Sequence, residues 1–319
     1  MKDEPSLYQT SSFHKASSLK QAAASRASSY GDHLFLRLWS WACAFLLFTV
    51  ILSGVCFIVV QAWPALGVSL FFGDSPPWAA FWGDVPIWEG IWPACVGTLT
   101  LICLTLAIAL LPGIGTGIWL ARSHGRRQQL LRFAIELLAG IPSILMGLFG
   151  FTLILFLRAT FWPEANVSLL LSATCLALLI IPYLAMTTQS ALSALPESLA
   201  VTAAALGMRP WQVLWYVQLP QAKRGIISGI MLSLGRAAED TAVIMLTGAV
   251  ANAGLPAGIL ERFEALPFAI FYYSAQYQSE QELQMAFGAA LILLCATAVI
   301  FACAGLLMQR SLHLEEKSQ

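Results

Sequence analysis

Charge is scarce in this chain. Lys, Arg, Asp and Glu make up 11% of its 319 residues, against 58% hydrophobic residues and a mean hydropathy of +0.74. A soluble domain of this length carries far more charge, so the composition excludes that class and indicates an integral membrane protein. Catalytic signatures are also missing. There is no phosphate-cradling GxxxxGK loop followed by Ser or Thr, no nucleophile elbow and no HExxH helix, so catalysis by the chain itself is not expected. The four histidines (His14, His33, His124 and His313) lie in polar flanks, which excludes a histidine proton relay inside the membrane. Seven cysteines, at 43, 56, 95, 103, 175, 295 and 303, lie within or beside apolar stretches and form no CxxC pair. They read as small packing residues rather than metal ligands or disulfides. A cleavable leader is not legible either. The first thirty-odd residues are polar and rich in Ser, Ala and Lys, so the first apolar stretch is expected to be a retained anchor.

What the chain does have is length of hydrocarbon. Six apolar stretches are long enough to span a bilayer: Leu38–Ala62, Ala94–Leu120, Phe133–Leu157, Val167–Ser190, Gly225–Ala251 and Met285–Met308. Basic residues sort around them. Lys2, Lys15, Lys20, Arg26 and Arg37 precede the first, and Arg122, Arg126, Arg127 and Arg132 lie between the second and third. Arg209, Lys223 and Arg224 separate the fourth from the fifth, and Arg310 and Lys317 follow the last. Opposite stand only Arg158 and Arg262, while the loop Trp63–Pro93 carries Asp74, Asp84 and Glu89 with neither Lys nor Arg. The positive-inside rule then places both termini in the cytoplasm, and the tryptophans at 63, 78, 82, 88 and 92 form an aromatic belt on the far side. The expected organisation is a flexible arm over 1–33, a first span with its outer loop over 34–93, a five-span core over 94–308 and a tail over 309–319.

The fifth stretch breaks the apolar rule at its centre, which reads Gly235-Arg-Ala-Ala-Glu-Asp-Thr241. Arg236 lies about ten residues in, near the midplane of a ~30 Å core. A charge there costs at least ~2.5 kcal/mol on insertion scales and normally faces a bundle interior or a wet path. On one continuous helix Arg236 faces Glu239 and Asp240, at i+3 and i+4. Two roles follow from the residues alone. One is an internal or intersubunit ion pair; the other is a guanidinium offered to an anion, which its fork matches bidentately. Thr241 belongs to the same cluster. Softer candidates for a path are Thr98, Thr100, Thr105, Ser143, Thr187, Thr188 and Gln189, although hydroxyls in spans more often pack helices together. Pro112, with Gly113, Gly115 and Gly117, marks a kinked or flexible inner end of the second stretch.

The loop at 193–220 is too apolar for a cytoplasmic connection. It reads as two short helices: the first runs from Pro196 to Gly207, and the second opens at Pro210 and closes at Pro220. Leu199, Ala203, Leu206 and Met208 form an apolar set that needs cover, either from the protein's own base or from a cytoplasmic partner.

The spacing of Ala203, Gly207, Leu219 and Pro220 resembles the EAA loop of bacterial ABC importer permeases, where it frames the coupling helix. Ile135-Glu-Leu-Leu-Ala-Gly-Ile-Pro-Ser-Ile-Leu-Met-Gly-Leu-Phe-Gly150 is similar to the third-span signature of the phosphate-specific (Pst-type) permeases. Ala194-Leu-Pro-Glu-Ser-Leu199, Gly235-Arg-Ala237, and Pro93-Ala94 with Val96-Gly-Thr-Leu99 fit the same family. Ala265-Leu-Pro-Phe-Ala-Ile-Phe271 and Ala286-Phe-Gly-Ala-Ala-Leu291 look more like its PstA branch than its PstC branch. Two positions depart from the pattern. Val201 stands at the EAA glutamate, and Glu239-Asp240 stands where the family has Gly-Glu.

This resemblance, covering about Trp88 to Leu307, implies an all-α integral membrane protein: six transmembrane helices in the type I (MetI-like) permease architecture, with a cytoplasmic coupling helix. It implies a substrate path at Arg236, Glu239, Asp240 and Thr241. ATPase coupling would fall to Leu199, Ala203, Leu206, Gly207, Met208 and Pro220. The expected partners are a second, PstC-like permease, a PstB-like ATPase dimer that binds the ATP and Mg, and a PstS-like extracytoplasmic phosphate-binding protein. No cofactor is expected in this chain, and no metal. The setting is the bacterial inner membrane. Other oxyanions (molybdate, tungstate or sulfate) and a self-sufficient secondary transporter using Arg236 to Asp240 as a charge relay stand as alternatives.

Overall fold

Proline and aspartate decide where the apolar stretches become helices. The computed structural model describes residues 36–73, 75–82 and 90–316. The expected arm over 1–33, the loop acids Asp74, Asp84 and Glu89, Trp88, and the last three residues of the tail lie outside the described residues. The chain divides into two units, Met1–Phe57 and Ile58–Gln319. The described part of the first belongs to α1 (Leu36–Ala65), where Leu38, Phe45 and Leu52 are exposed. The second holds the short α2 (Val68–Phe72) and α3 (Pro77–Trp82), then the long α4 (Trp92–Arg122).

The remaining elements are α5 (Arg126–Ala139), α6 (Ser143–Thr160), α7 (Leu169–Ser193), α8 (Glu197–Ala205), α9 (Pro210–Gln212), α10 (Leu219–Glu239), α11 (Thr241–Thr247), α12 (Leu266–Gln276) and α13 (Glu280–Glu316). Among the described residues there is no strand, only an isolated bridge between Ala249 and Phe263. Among the described residues five helices are long and apolar enough to cross a membrane: α1, α4, α6, α7 and α13 over Glu280–Cys303.

Two expected spans are divided. The third, expected over Phe133–Leu157, splits into α5 and α6 at Gly140-Ile141-Pro142. Pro142 takes an extended ψ of 138° and caps α6, because proline cannot donate into a helix and disfavours the α region before it. The fifth, expected over Gly225–Ala251, splits into α10 and α11 at Asp240. Asp240 leaves the helix (ψ 103°), and its carboxylate accepts from the Val243 N–H at 2.9 Å, so it starts a new helix rather than continuing the old one.

Helix α7 is the centre. Of its most apolar window 61% is buried, against 39% for α4. It packs on α4, α5, α6, α10 and α11. Small residues set these distances, as expected where backbones approach inside a membrane. A methyl group on Gly117 of α4 would meet the Ala185 carbonyl at 2.6 Å, and one on Gly229 of α10 would meet the Thr187 hydroxyl at 2.1 Å. Across the Pro112 to Gly117 run α4 is continuous, and Gly113 and Gly117 are contact surface for Leu184 and Thr188 of α7.

One end of this unit is closed by an irregular return over 248–265. The backbone N–H groups of Ser168, Leu169 and Leu170, at the start of α7, donate to Thr247, Glu261 and Ile259. Thr98 of α4 accepts from the Leu266 N–H at 2.8 Å, a structural duty for a residue that sequence reasoning put on a path.

Candidate functional site

Arg236 sits one turn before the end of α10, with its guanidinium 4.8 Å from the centre of the Tyr183 ring. The continuous-helix expectation paired it with Glu239 and Asp240. Instead, Asp240 has turned away to cap α11, and the ion pair of Arg132 with Glu136 lies elsewhere, on α5. Arg236 and Glu239 are both exposed on the isolated chain, and Thr241 opens α11. The cluster is thus a cation held by an aromatic face, with one carboxylate spent on the backbone. A guanidinium over a ring keeps its donors available to an incoming anion.

Next along the same contact a cleft of about 320 Å³ lies between α7 and α10, lined by Met186, Thr187, Ser190, Ser228, Gly229 and Leu232, among others. Leu232 lies one helical turn from Arg236, and Thr187 one turn from Tyr183, to whose carbonyl its hydroxyl donates at 2.7 Å. The antiparallel course of the two helices explains this alignment: Tyr183 meets Arg236, Thr187 meets Gly229, and Ala191 meets Gly225. Of the other hydroxyls considered, Thr105 and Thr188 are buried, and Thr100 bonds within its own helix.

The second candidate region is the loop between α7 and α10. Helix α8 ends on Gly207, whose φ of +83° a side chain would resist; the Gly207 and Met208 N–H groups return to Ala204 and Ala203. The apolar set divides. Ala203 is buried, Leu199 and Met208 are half-buried, and Leu206 is 79% exposed. Val201 is 67% exposed beside it. Pro220 does not close a helix, as the sequence suggested. The chain runs from α9 through a π-helical stretch, Val213–Gln218, directly into α10, and the Leu219 N–H bonds to Leu214. That wider register brings Pro220, which lacks an N–H, into the first turn of α10 where none is needed.

A family model described as the binding-protein-dependent transport system inner membrane component matches residues 113–312. The chain belongs to that family. It is similar to the phosphate transport system permease protein PstA of Haemophilus influenzae, 32% identical over 256 residues, 80% of this chain and 83% of the relative. It is also similar to the phosphate transport system permease protein PstC of Mesorhizobium japonicum, 32% identical over 169 residues, but over only 46% of this chain and 52% of that one. A chain of the MetNI methionine ABC transporter, solved in inward-facing conformations, superposes with a TM-score of 0.53 at 17% identity, over 69% of this chain and 96% of that chain. That likeness shows the fold.

For this permease the residue that sequence reasoning missed is Tyr183. Its signal was an aromatic directly after Pro182 in the fourth stretch, and only the antiparallel packing of α7 on α10 gives that neighbour a meaning. Glu264 was missed as well. It is buried in the 248–265 return, outside the spanning helices, and accepts from the Gly254 N–H at 2.8 Å. Burial pushes its carboxyl up to about 7, against the opposing pull of the Gly254 and Ala253 N–H groups.

Proposed function

We propose that this permease is the PstA-type subunit of an ATP-driven importer of inorganic phosphate. The observation that carries the proposal is Arg236: a cation on a broken helix, facing Tyr183 rather than a carboxylate, one helical turn from Leu232 of the α7–α10 cleft. Such a fork is suited to two phosphate oxygens at once. Glu239 opposes an anion at close range; it holds Arg236 between transport events after a local rotation, or faces a basic group of the partner permease.

On this reading both termini are cytoplasmic, because the Arg-rich loops lie at the end of the bundle opposite the 248–265 return. A PstC-like permease completes the path. A PstB-like ATPase dimer binds ATP and Mg and docks on α8 through Val201, Leu206 and the Gly207 turn. A PstS-like binding protein delivers phosphate to the far end, where Asn166, Asn252 and Arg262 line a cavity of about 520 Å³. ATPase closure moves α8, and the π stretch passes that movement into α10 and so to Arg236.

The test is uptake of labelled phosphate into proteoliposomes holding the two permeases and the ATPase, with the binding protein supplied outside. The expected result is ATP-dependent phosphate uptake that molybdate, tungstate and sulfate compete for poorly and that Arg236→Ala abolishes. Uptake driven by an ion gradient without ATP, or preferential uptake of another oxyanion, would overturn the proposal.

A further inference from the structure

Beyond the α7–α10 cleft lies a second cavity, of about 300 Å³, enclosed by the end of α4, by α5 and by the last turns of α7. It shares Met186 and Ser190 with the cleft, so the two are neighbours along one face of α7. Its polar lining converges from two helices: Arg132 and Glu136 from α5, and Gln189, Ser190 and Ser193 from α7. From Tyr183 to Ser190 is seven residues, about 10 Å along a helix.

We propose that this cavity is a low-affinity exit station for the transported phosphate, with Arg132 its receiving cation and Glu136 the group that displaces it. The proposal rests on the import reading above. Arg132 offers a planar fork of donors, and the Gln189 amide and the two serine hydroxyls offer more, which is the donor set a tetrahedral oxyanion takes. The Arg132 Nε donates to Glu136 at 2.8 Å, with the two side chains 60% and 47% exposed. An exposed pair of this kind is weak, and arginine placed before glutamate is the less favourable order on a helix. An arriving phosphate therefore exchanges with Glu136 at little cost. Nor is it retained: Glu136 stays within reach to reclaim Arg132, and the carbonyl end of α7, which also borders the cavity, disfavours an anion. A station at the end of a path needs this balance, since tight binding there traps the product.

The experiment uses the reconstituted complex with phosphate varied inside the vesicles, the side that carries the ATPases, and initial rates of labelled uptake from outside. Internal phosphate is expected to slow uptake. Arg132→Ala should raise the half-inhibiting concentration about tenfold, Glu136→Gln should lower it by a similar factor, and Arg132→Lys should fall between Arg132→Ala and the unaltered chain. Independently, phosphate should slow reaction of a Ser193→Cys chain with a charged thiol reagent in the solubilised complex, and Arg132→Ala should abolish that protection. Unchanged half-inhibition in both charge variants, or absence of protection at Ser193→Cys in an otherwise unaltered chain, overturns the station. A complex that imports sulfate or molybdate in place of phosphate overturns the import reading instead, and the same protection measurement with that anion then decides the station separately.

Discussion

The guanidinium of Arg236 lies 4.8 Å from the centre of the Tyr183 ring, across the contact between α10 and α7. A contact of this type is worth about 0.5–2 kcal/mol, rising as water is excluded. It is strong enough to orient the cation and weak enough to yield to an oxyanion that brings two charge-assisted hydrogen bonds.

The hydroxyl of Tyr183 has no part in that contact, so the ring alone should suffice. Tyr183→Phe is expected to import phosphate within about twofold of the unaltered chain. Tyr183→Leu should lose about tenfold in uptake efficiency, because Arg236 is then free to turn toward Glu239. Arg236→Lys should lose more than Tyr183→Leu, since an ammonium cannot engage two oxygens as a planar fork does. Equal uptake by Tyr183→Leu and Tyr183→Phe would remove the aromatic face from the mechanism.

Asp240 makes a separate prediction, because its carboxylate caps α11 at 2.9 Å instead of pairing with Arg236. Asp240→Ala should cost about 1 kcal/mol, as lost N-caps do, and lower the thermal midpoint of the purified complex. Asp240→Asn and Asp240→Ser keep the cap without the charge and should restore both stability and uptake. If only Asp240 itself supports uptake while all three variants keep their stability, the charge matters and the cap is incidental.

Much of this was written in the sequence, and what was hidden has particular causes. The apolar stretches and their basic flanks located α4, α7 and α13 because length and charge are local properties. The divisions at Pro142 and Asp240 were less visible. An apolar run continues past both residues, and hydropathy does not register a proline's missing donor or an aspartate's preference for a cap. Arg236 stood out as a charge in hydrocarbon. Its partner did not, because Tyr183 is fifty-three residues earlier and reaches it only through the close packing that Gly225 and Gly229 permit. The loop was legible as apolar and paired to a family by its glycine and prolines. Which of its residues project outward needed the fold, since α8 buries Ala203 and presents Val201 and Leu206.

That presentation predicts how the loop variants behave. Leu206, the residue that caps α8, is the most exposed apolar side chain of the loop, and covering one leucine is worth about 1.5–3 kcal/mol. Leu206→Asp should therefore weaken co-purification of the ATPase by about tenfold or more and uncouple hydrolysis from uptake, with no loss of folded permease. Gly207→Ala places a methyl group at a φ of +83° and should cost about 1 kcal/mol in the loop itself. Its effect should appear in coupling more than in global stability. Intact association and uptake in Leu206→Asp would mean that α8 is not the docking helix.

Glu264 supplies a pH dependence whose sign can be worked out. Its carboxyl is raised from 4.5 to about 7, chiefly by burial in the 248–265 return. In the folded chain it therefore stays protonated over a range where the unfolded chain has already lost its proton. The folded state binds more protons between about pH 4.5 and 7, so the contribution to stability is complete below that window and is lost as pH rises through it. Ionisation does not eject the group, because the Gly254 N–H at 2.8 Å still finds an acceptor, but it places a charge in a buried site whose desolvation cost outweighs the two N–H groups. The return should consequently loosen as pH rises from 5 to 8. Hydrogen exchange at Gly254 and its neighbours is the measurement, corrected for the intrinsic dependence of exchange on pH. Protection should fall across that range in the unaltered chain and stay flat in Glu264→Gln, which keeps an acceptor for Gly254 without a titrating proton. A fall of the same size in both would assign the loosening to some other group.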